Sequence, residues 1–337
     1  MRSRRRRPGS IRVGVIVVLA VAVLAAVVAL VARPIRTGRV DPADKARVAA
    51  GLPRVFVANP VIESMVRALA TDGDRLRIYA PWRGDGTTFG DPAYWKPTAE
   101  EIREIQSCEL ILLNGAGYEK WAEQAALPRA RTVDTTGDLR SRLIVEEGET
   151  HSHGPEGEHS HSGFASSTWL SPELAKEQLA TVVGRLYELL GSTYPTSEIH
   201  DDQRARLDEA TAALREVGRL QPKLLASHPV YQYLGQAGGI AIDSMHWEPG
   251  EMPADKEWTK FRLLRAGHPR PTAWMLWEGE PGDEIRAKLA AEGVEVFVFP
   301  LFPIDPSIPS VDGEFVWHFP RVVEALRVAV GGRAPGG

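Results

Sequence analysis

The chain has 337 residues, 43% hydrophobic and 25% charged, with a formal net charge of −4. That length suits two domains or one large one, and the composition excludes wholesale disorder. A single cysteine, Cys108, excludes an internal disulfide and a thiolate metal cluster.

The charge is unevenly spread. Residues 1–36 carry eight arginines and no acid, which leaves 32 basic against 44 acidic side chains over the rest, a net of −12. A surface of that sign disfavours nucleic acid and tolerates cations, so no nucleic-acid partner is expected. Residues 13–32 are uncharged with one glycine, and Arg2, Arg4, Arg5, Arg6, Arg7 and Arg12 precede them. At about 1.5 Å per residue such a run spans a ~30 Å hydrocarbon layer. Residues 1–36 are therefore expected to be a basic N-terminus plus transmembrane anchor, a single pass in the cell membrane. The arginine flank places the main domain outside the cytoplasm, in the periplasm or at the cell exterior. A cleaved signal peptide is the competing reading, with Ala29 and Ala32 available to a peptidase. Residues 37–52 form a polar linker.

Regular text begins at residue 53. The expected first lobe, 53–192, alternates strands at 55–58, 76–80, 109–114 and 132–134 with a helix at 62–70, one opening at 98 and one at 118–126. Thr98 and Glu101 have the spacing of a capping box. Strand–helix alternation predicts a parallel sheet covered on both faces.

Residues 144–168 show no periodic pattern, and long loops of that kind are functional or disordered. Within 146–163 lie His151, His153, His159 and His161, four of the chain's nine histidines, interleaved with carboxylates and almost no apolar side chain. Two His-x-His pairs suit capture of divalent metal, but a tract without a core cannot enforce one geometry. It is expected to collect ions, against the alternative of a solvated loop.

Ser171-Pro172 opens a helix that runs to about Leu190. Residues 193–221 read as a long polar helix with a narrow stripe, Leu207, Ala210, Leu214 and Val217, fit for a strut joining two lobes. The second lobe, 222–332, resumes the alternation, with strands at 223–227, 239–243, 272–277 and 294–299. Its helices are expected at 230–236, 255–265, 281–292 and 315–330. The expected fold is α/β: two parallel-sheet α/β lobes joined by one long backbone helix, preceded by the N-terminal transmembrane segment.

Several phrases carry a resemblance over roughly 52–330: Asp91-Pro92-Ala93-Tyr94-Trp95-Lys96-Pro97-Thr98, Leu113-Asn114-Gly115-Ala116-Gly117-Tyr118-Glu119-Lys120-Trp121, the histidine tract, Thr168-Trp169-Leu170-Ser171-Pro172, Ser227-His228-Pro229-Val230-Tyr231-Gln232-Tyr233 and Glu248-Pro249-Gly250-Glu251-Met252-Pro253. In order and spacing the chain resembles the extracytoplasmic solute-binding proteins of zinc and manganese ABC importers, the helix-linked cluster A-I class. The resemblance implies a non-enzymatic protein that holds a divalent ion between its lobes and delivers it to an ABC transporter membrane subunit. Zinc is the first expectation for the ion, and manganese or another divalent cation the next.

The family's cleft holds its ion with two His, a third His or Glu, and an Asp. In that register these fall on Ala93, Ser167, His228 and Phe302, so only His228 is kept. A zinc site needs about four N, O or S donors. Either the site is rebuilt or the cleft has lost its metal. His246, Glu278, Glu280 and Asp305 follow strands of the second lobe, where α/β ligands sit. His228, His246 and Glu278 form the expected rebuilt set. His200, His268 and His318 read as surface or packing histidines. Trp82, Trp95, Trp169, Trp247 and Trp277 fall at element ends and either pack the core or line an aromatic pocket. The alternative function is therefore a solute-binding-fold module without a tight metal site, taking an organic ligand or a protein partner. No His-Glu-x-x-His, Gly-x-Ser-x-Gly or phosphate-cradling glycine loop points to an enzyme.

Overall fold

The computed structural model describes residues 51–69, 75–83, 91–146, 150–152, 158–160, 163–191, 197–248, 250–304 and 314–332. The expected membrane span at 13–32 lies outside them, and among the described residues no helix is long and apolar enough to cross a membrane.

The first sheet is wholly parallel. Its strands are β1 (Arg54–Val57), β2 (Arg77–Tyr79), β3 (Leu110–Leu113) and β4 (Thr132–Asp134), in the order β2-β1-β3-β4. β3 is an unbroken apolar run, and so is β1 after Arg54, as strands buried on both faces require. Helix α1 (Pro60–Leu69) starts where the Asn59 side chain accepts from the Ile62 N–H at 2.8 Å. Helix α2 (Ala99–Ser107) has the expected capping box between Thr98 and Glu101.

The helix expected at 118–126 is instead one short 3₁₀ turn, Lys120–Glu123. Gly115, Ala116 and Gly117 all have positive φ and turn the chain back on itself. A side chain at Gly115 would come within 1.7 Å of the Asp134 carboxylate, so only glycine fits. The 144–168 stretch also differs from expectation. β5 (Val145–Glu146) pairs antiparallel with β8 (Gly163–Phe164), and β6 (Thr150–Ser152) with β7 (Glu158–Ser160). Backbone bonds set this ribbon, and its polar sequence leaves no hydrophobic alternation to reveal it.

Helix α3 (Pro172–Leu190) is capped by Ser171, whose hydroxyl accepts from the Leu174 N–H. Helix α4 (Ser197–Leu220) is the expected strut, and its stripe of Leu207, Ala210, Leu214 and Val217 is buried. The second sheet repeats the first. Strands β9 (Lys223–Ala226), β10 (Ala241–Ser244), β11 (Ala273–Trp277) and β12 (Val294–Val298) are parallel in the order β10-β9-β11-β12. Its helices are α5 (Gln232–Gly238), α6 (Asp255–Ala266), α7 (Asp283–Ala291) and α8 (Phe315–Gly331). α8 lies along α4, with the Arg206 guanidinium over the Trp317 ring, and the Gly238 carbonyl occupies the space a side chain at Gly218 would need.

One apolar core runs from the first sheet through the α4 stripe to one face of the second sheet. A smaller core covers the other face with Leu225, Met245, Trp247, Trp258, Phe261, Met275 and Trp277. Trp82, Trp169, Trp247 and Trp277 are thus packing residues, as the core reading expected. Leu214→Ala, at the centre of the shared core, is expected to destabilise the fold by about 2–5 kcal/mol. Denaturant unfolding would read this as a lower midpoint with an unchanged slope.

Candidate functional site

The second sheet's hydrogen-bond ladder continues past its strands. Ser227 N–H donates to Leu276 O, Met245 N–H to Ala226 O and Trp247 N–H to Ser227 O, each at 2.9 Å. Residues 245–248 are thereby held extended beside the Ser227-His228 turn. Successive side chains of extended chain point to opposite faces. Met245 and Trp247 enter the smaller core, and His246 and Glu248 take the other face.

His228 is only 8% exposed and has a carboxylate at each ring nitrogen. Nδ1 is 3.2 Å from Glu278 Oε1, and Nε2 is 3.4 Å from Glu248 Oε1. The His246 ring stands edge-on, its centroid 6.3 Å away. Burial alone would lower the His228 pKa, but the Glu278 carboxylate, then that of Glu248, outweighs it and raises it. The 3.4 Å between Nε2 and Glu248 is also the spacing of two donors each ~2.0–2.1 Å from a tetrahedral ion.

The first lobe meets this group through Asp91. Its carboxylate accepts from the Ala93 N–H at 2.9 Å and the Tyr118 hydroxyl at 2.6 Å. Burial pushes the Asp91 pKa up, those two bonds pull it down, and the charge of Glu278 pushes it up again. The family's other ligand positions do different work here. Ser167 is buried, and Phe302 stacks on Trp169 at 5.5 Å between centroids. The Trp169 indole N–H donates to Leu301 O at 2.7 Å, tying the two lobes together directly.

Under the first-lobe wall lies a buried polar network. The Gln178 amide donates to the Asn114 side chain at 3.0 Å and to the Thr135 hydroxyl at 2.9 Å, and Thr168 donates to Gln178 at 3.0 Å. Beside it the Glu119 carboxylate accepts from the backbone N–H groups of Asn114 and Gly115 and holds the left-handed turn closed. Burial drives the Glu119 pKa up to about 8, against the lowering effect of those bonds.

Of the residues expected at the site, His228, His246 and Glu278 are brought together. Among the described residues no three His, Cys, Asp or Glu side chains form a metal-holding group as they stand. Glu280 turns away to pair with Arg286. His151 and His159 lie opposite one another in the β6–β7 register, while His153, His161 and Asp305 lie outside the described residues. Glu248 and Asp91 join the site without having been singled out. The His-x-Glu spacing at 246–248, read with strand alternation, is the signal for Glu248. The root of the histidine tract is fixed to the second lobe: Tyr233 OH donates to Ala165 O at 2.9 Å and accepts from Ile144 N–H at 3.1 Å, and the Gln232 amide donates to Glu146 at 2.7 Å.

A family model described as zinc-uptake complex component A, periplasmic (ZnuA) matches residues 55–263. Among solved structures the chain is similar to YcdH of Bacillus subtilis, described as a metal-dependent lipoprotein (TM-score 0.64, 16% identity, covering 82% of this chain and 98% of that one). It is similar to Zn(II)-bound AdcA of Streptococcus pneumoniae (TM-score 0.63, 17% identity, covering 85% of this chain and 59% of that one). It is also similar to the periplasmic zinc binding protein TroA of Treponema pallidum (TM-score 0.61, 16% identity, covering 83% of this chain and 99% of that one). At these identities the likeness is one of fold. No curated protein matches the chain in sequence.

Glu119 makes stability pH-dependent. The folded state keeps the proton up to about pH 8, while the unfolded chain gives it up near the ordinary glutamate value of 4.5, so stability falls as pH rises between them. Glu119→Gln loses one backbone acceptor but also this slope. Thermal melts are expected to put it below wild type at pH 5, with the gap narrowing toward pH 9.

Proposed function

Because the chain belongs to the family of periplasmic zinc-uptake complex component A, a family of non-enzymatic solute-binding proteins, we propose that it carries a divalent metal ion, zinc first, to an ABC transporter membrane subunit. His228 anchors the ion, with His246 and the neighbouring carboxylates, Glu278 among them, supplying further donors. The observation that carries this reading is the buried His228 imidazole with carboxylate oxygens at 3.2 and 3.4 Å from its two nitrogens. Residues 13–32 tether the protein to the membrane, and the lobes work outside the cytoplasm. The tract bearing His151, His153, His159 and His161 collects ions near the crevice.

A second reading has one observation in its favour. Phe302, at the family's aspartate position, stacks on Trp169 and fills that corner with an aromatic contact. On this reading the protein has no tight metal site and binds an organic ligand or a protein partner.

Zinc titration separates the two. With residues 147–162 deleted, the protein is expected to bind one zinc ion, and His228→Ala in that background is expected to weaken it at least ~100-fold, as loss of a ligand does. Equal affinity with and without His228 would remove the crevice from the function. The ion needs a neutral imidazole, and the His228 pKa lies above the ordinary histidine value of 6.5. Affinity is therefore expected to strengthen as pH rises through that midpoint, with proton release on binding detectable by calorimetry in buffers of different ionisation heat.

A further inference from the structure

We infer that the ion site has moved wholly onto the second lobe: its ligands are His228 Nε2, His246 and Glu248, and Glu278 positions the ring from behind. This rests on the metal-cargo reading and goes beyond it by dividing the carboxylates into a ligand and a positioning residue.

An imidazole offers a metal one nitrogen at a time, and the two lone pairs point in opposed directions. Glu278 stands at Nδ1 and Glu248 at Nε2, so both cannot share one ion with His228. The carboxylate on the metal side is a ligand. The other accepts the remaining ring N–H, fixes the tautomer and raises the basicity of the metal-binding nitrogen, as outer carboxylates do in metal sites.

The backbone decides which is which. Trp247 is drawn into the smaller core, where its ring packs 4.8 Å from Trp258 and 5.1 Å from Phe261. Its N–H is fixed to Ser227 O. With Trp247 anchored, His246 and Glu248 share the opposite face, beside His228. Nε2 faces Glu248, and His246, two residues earlier on the same segment, has its ring 6.3 Å from the His228 ring, so the proposed set is two imidazoles and one carboxylate. Glu278 stands at Nδ1, and in the first lobe Asp91 Oδ1 accepts from the Tyr118 hydroxyl and the Ala93 N–H.

Two imidazoles and one carboxylate select a first-row divalent cation of intermediate softness and leave a coordination position open. Such a site needs nothing from Ala93, Ser167 or Phe302. It accounts for a chain that keeps the family's third ligand while three others have become alanine, serine and phenylalanine. Glu248 is about half exposed, with a side-chain exposure of 52%, so it can turn onto an ion without breaking the core.

The test compares Glu248→Gln with Glu278→Gln in the protein lacking residues 147–162, using zinc for affinity and cobalt(II) for its ligand-field spectrum. Glu248→Gln is expected to weaken binding ~100-fold or more and to change the cobalt spectrum. Glu278→Gln is expected to weaken binding about 10-fold, the scale of an outer partner, with the spectrum kept. Thermal melts check that both variants fold. A spectrum changed by Glu278→Gln, alone or along with Glu248→Gln, would overturn the division of roles while leaving the cargo reading standing. Absence of any bound ion before either substitution would overturn both.

Discussion

The site depends on a short extension of the second sheet's ladder. Strands β9 and β10 end at Ala226 and Ser244, yet backbone bonds continue to Met245 and Trp247. Those bonds, with the burial of Trp247 at 2% exposure, fix the facing of every side chain from 245 to 248. Without them His246 and Glu248 would sit on a free loop and lose entropy on binding an ion. With them the second lobe presents its donors from a rigid edge, the condition under which weakly directional carboxylate and imidazole contacts add to affinity.

The contact between lobes has a different chemistry. Trp169 donates to Leu301 and stacks on Phe302, and Tyr233 bridges Ile144 and Ala165. Neither tie involves an ion. Buried hydrogen bonds of this kind contribute about 0.5–1.5 kcal/mol each, and an aromatic pair contributes about as much beyond its area. The α4 stripe adds a continuous apolar seam on which both sheets rest. The lobes are thus held together by groups that are always present.

Much of this architecture is legible in the text of the chain. The capping box at Thr98, the Ser171-Pro172 start, the strut stripe and the strand–helix alternation are local patterns, and each appears where its chemistry requires. The missed helix at 118–126 shows where pattern reading fails. Gly115, Ala116 and Gly117 bend the chain, and the Glu119 carboxylate spends itself on two backbone donors, a closure no periodicity reports. The ribbon at 145–164 escaped for the opposite reason, since backbone pairing without an apolar face leaves no mark on hydropathy. At the site, His228 could be named from the resemblance, whose third ligand position it keeps, and His246 and Glu278 because each follows a strand. Glu248 could not be chosen without knowing that Trp247 turns inward.

A ligand shifts an equilibrium between two arrangements of lobes only by binding one of them better. An ion coordinated from both lobes does so directly, because its bonds exist only when the lobes meet. An ion held by His228, His246 and Glu248 makes no coordination bond across the crevice. Its influence on the first lobe then runs through charge, from Glu278 to Asp91 and on to Tyr118. A cation at His228 would offset the Glu278 charge that raises the Asp91 pKa, so such a coupling would have the favourable sign. The aromatic and hydrogen-bonded ties between the lobes need no ion, so an ion held in this way would only bias an arrangement that those ties already favour.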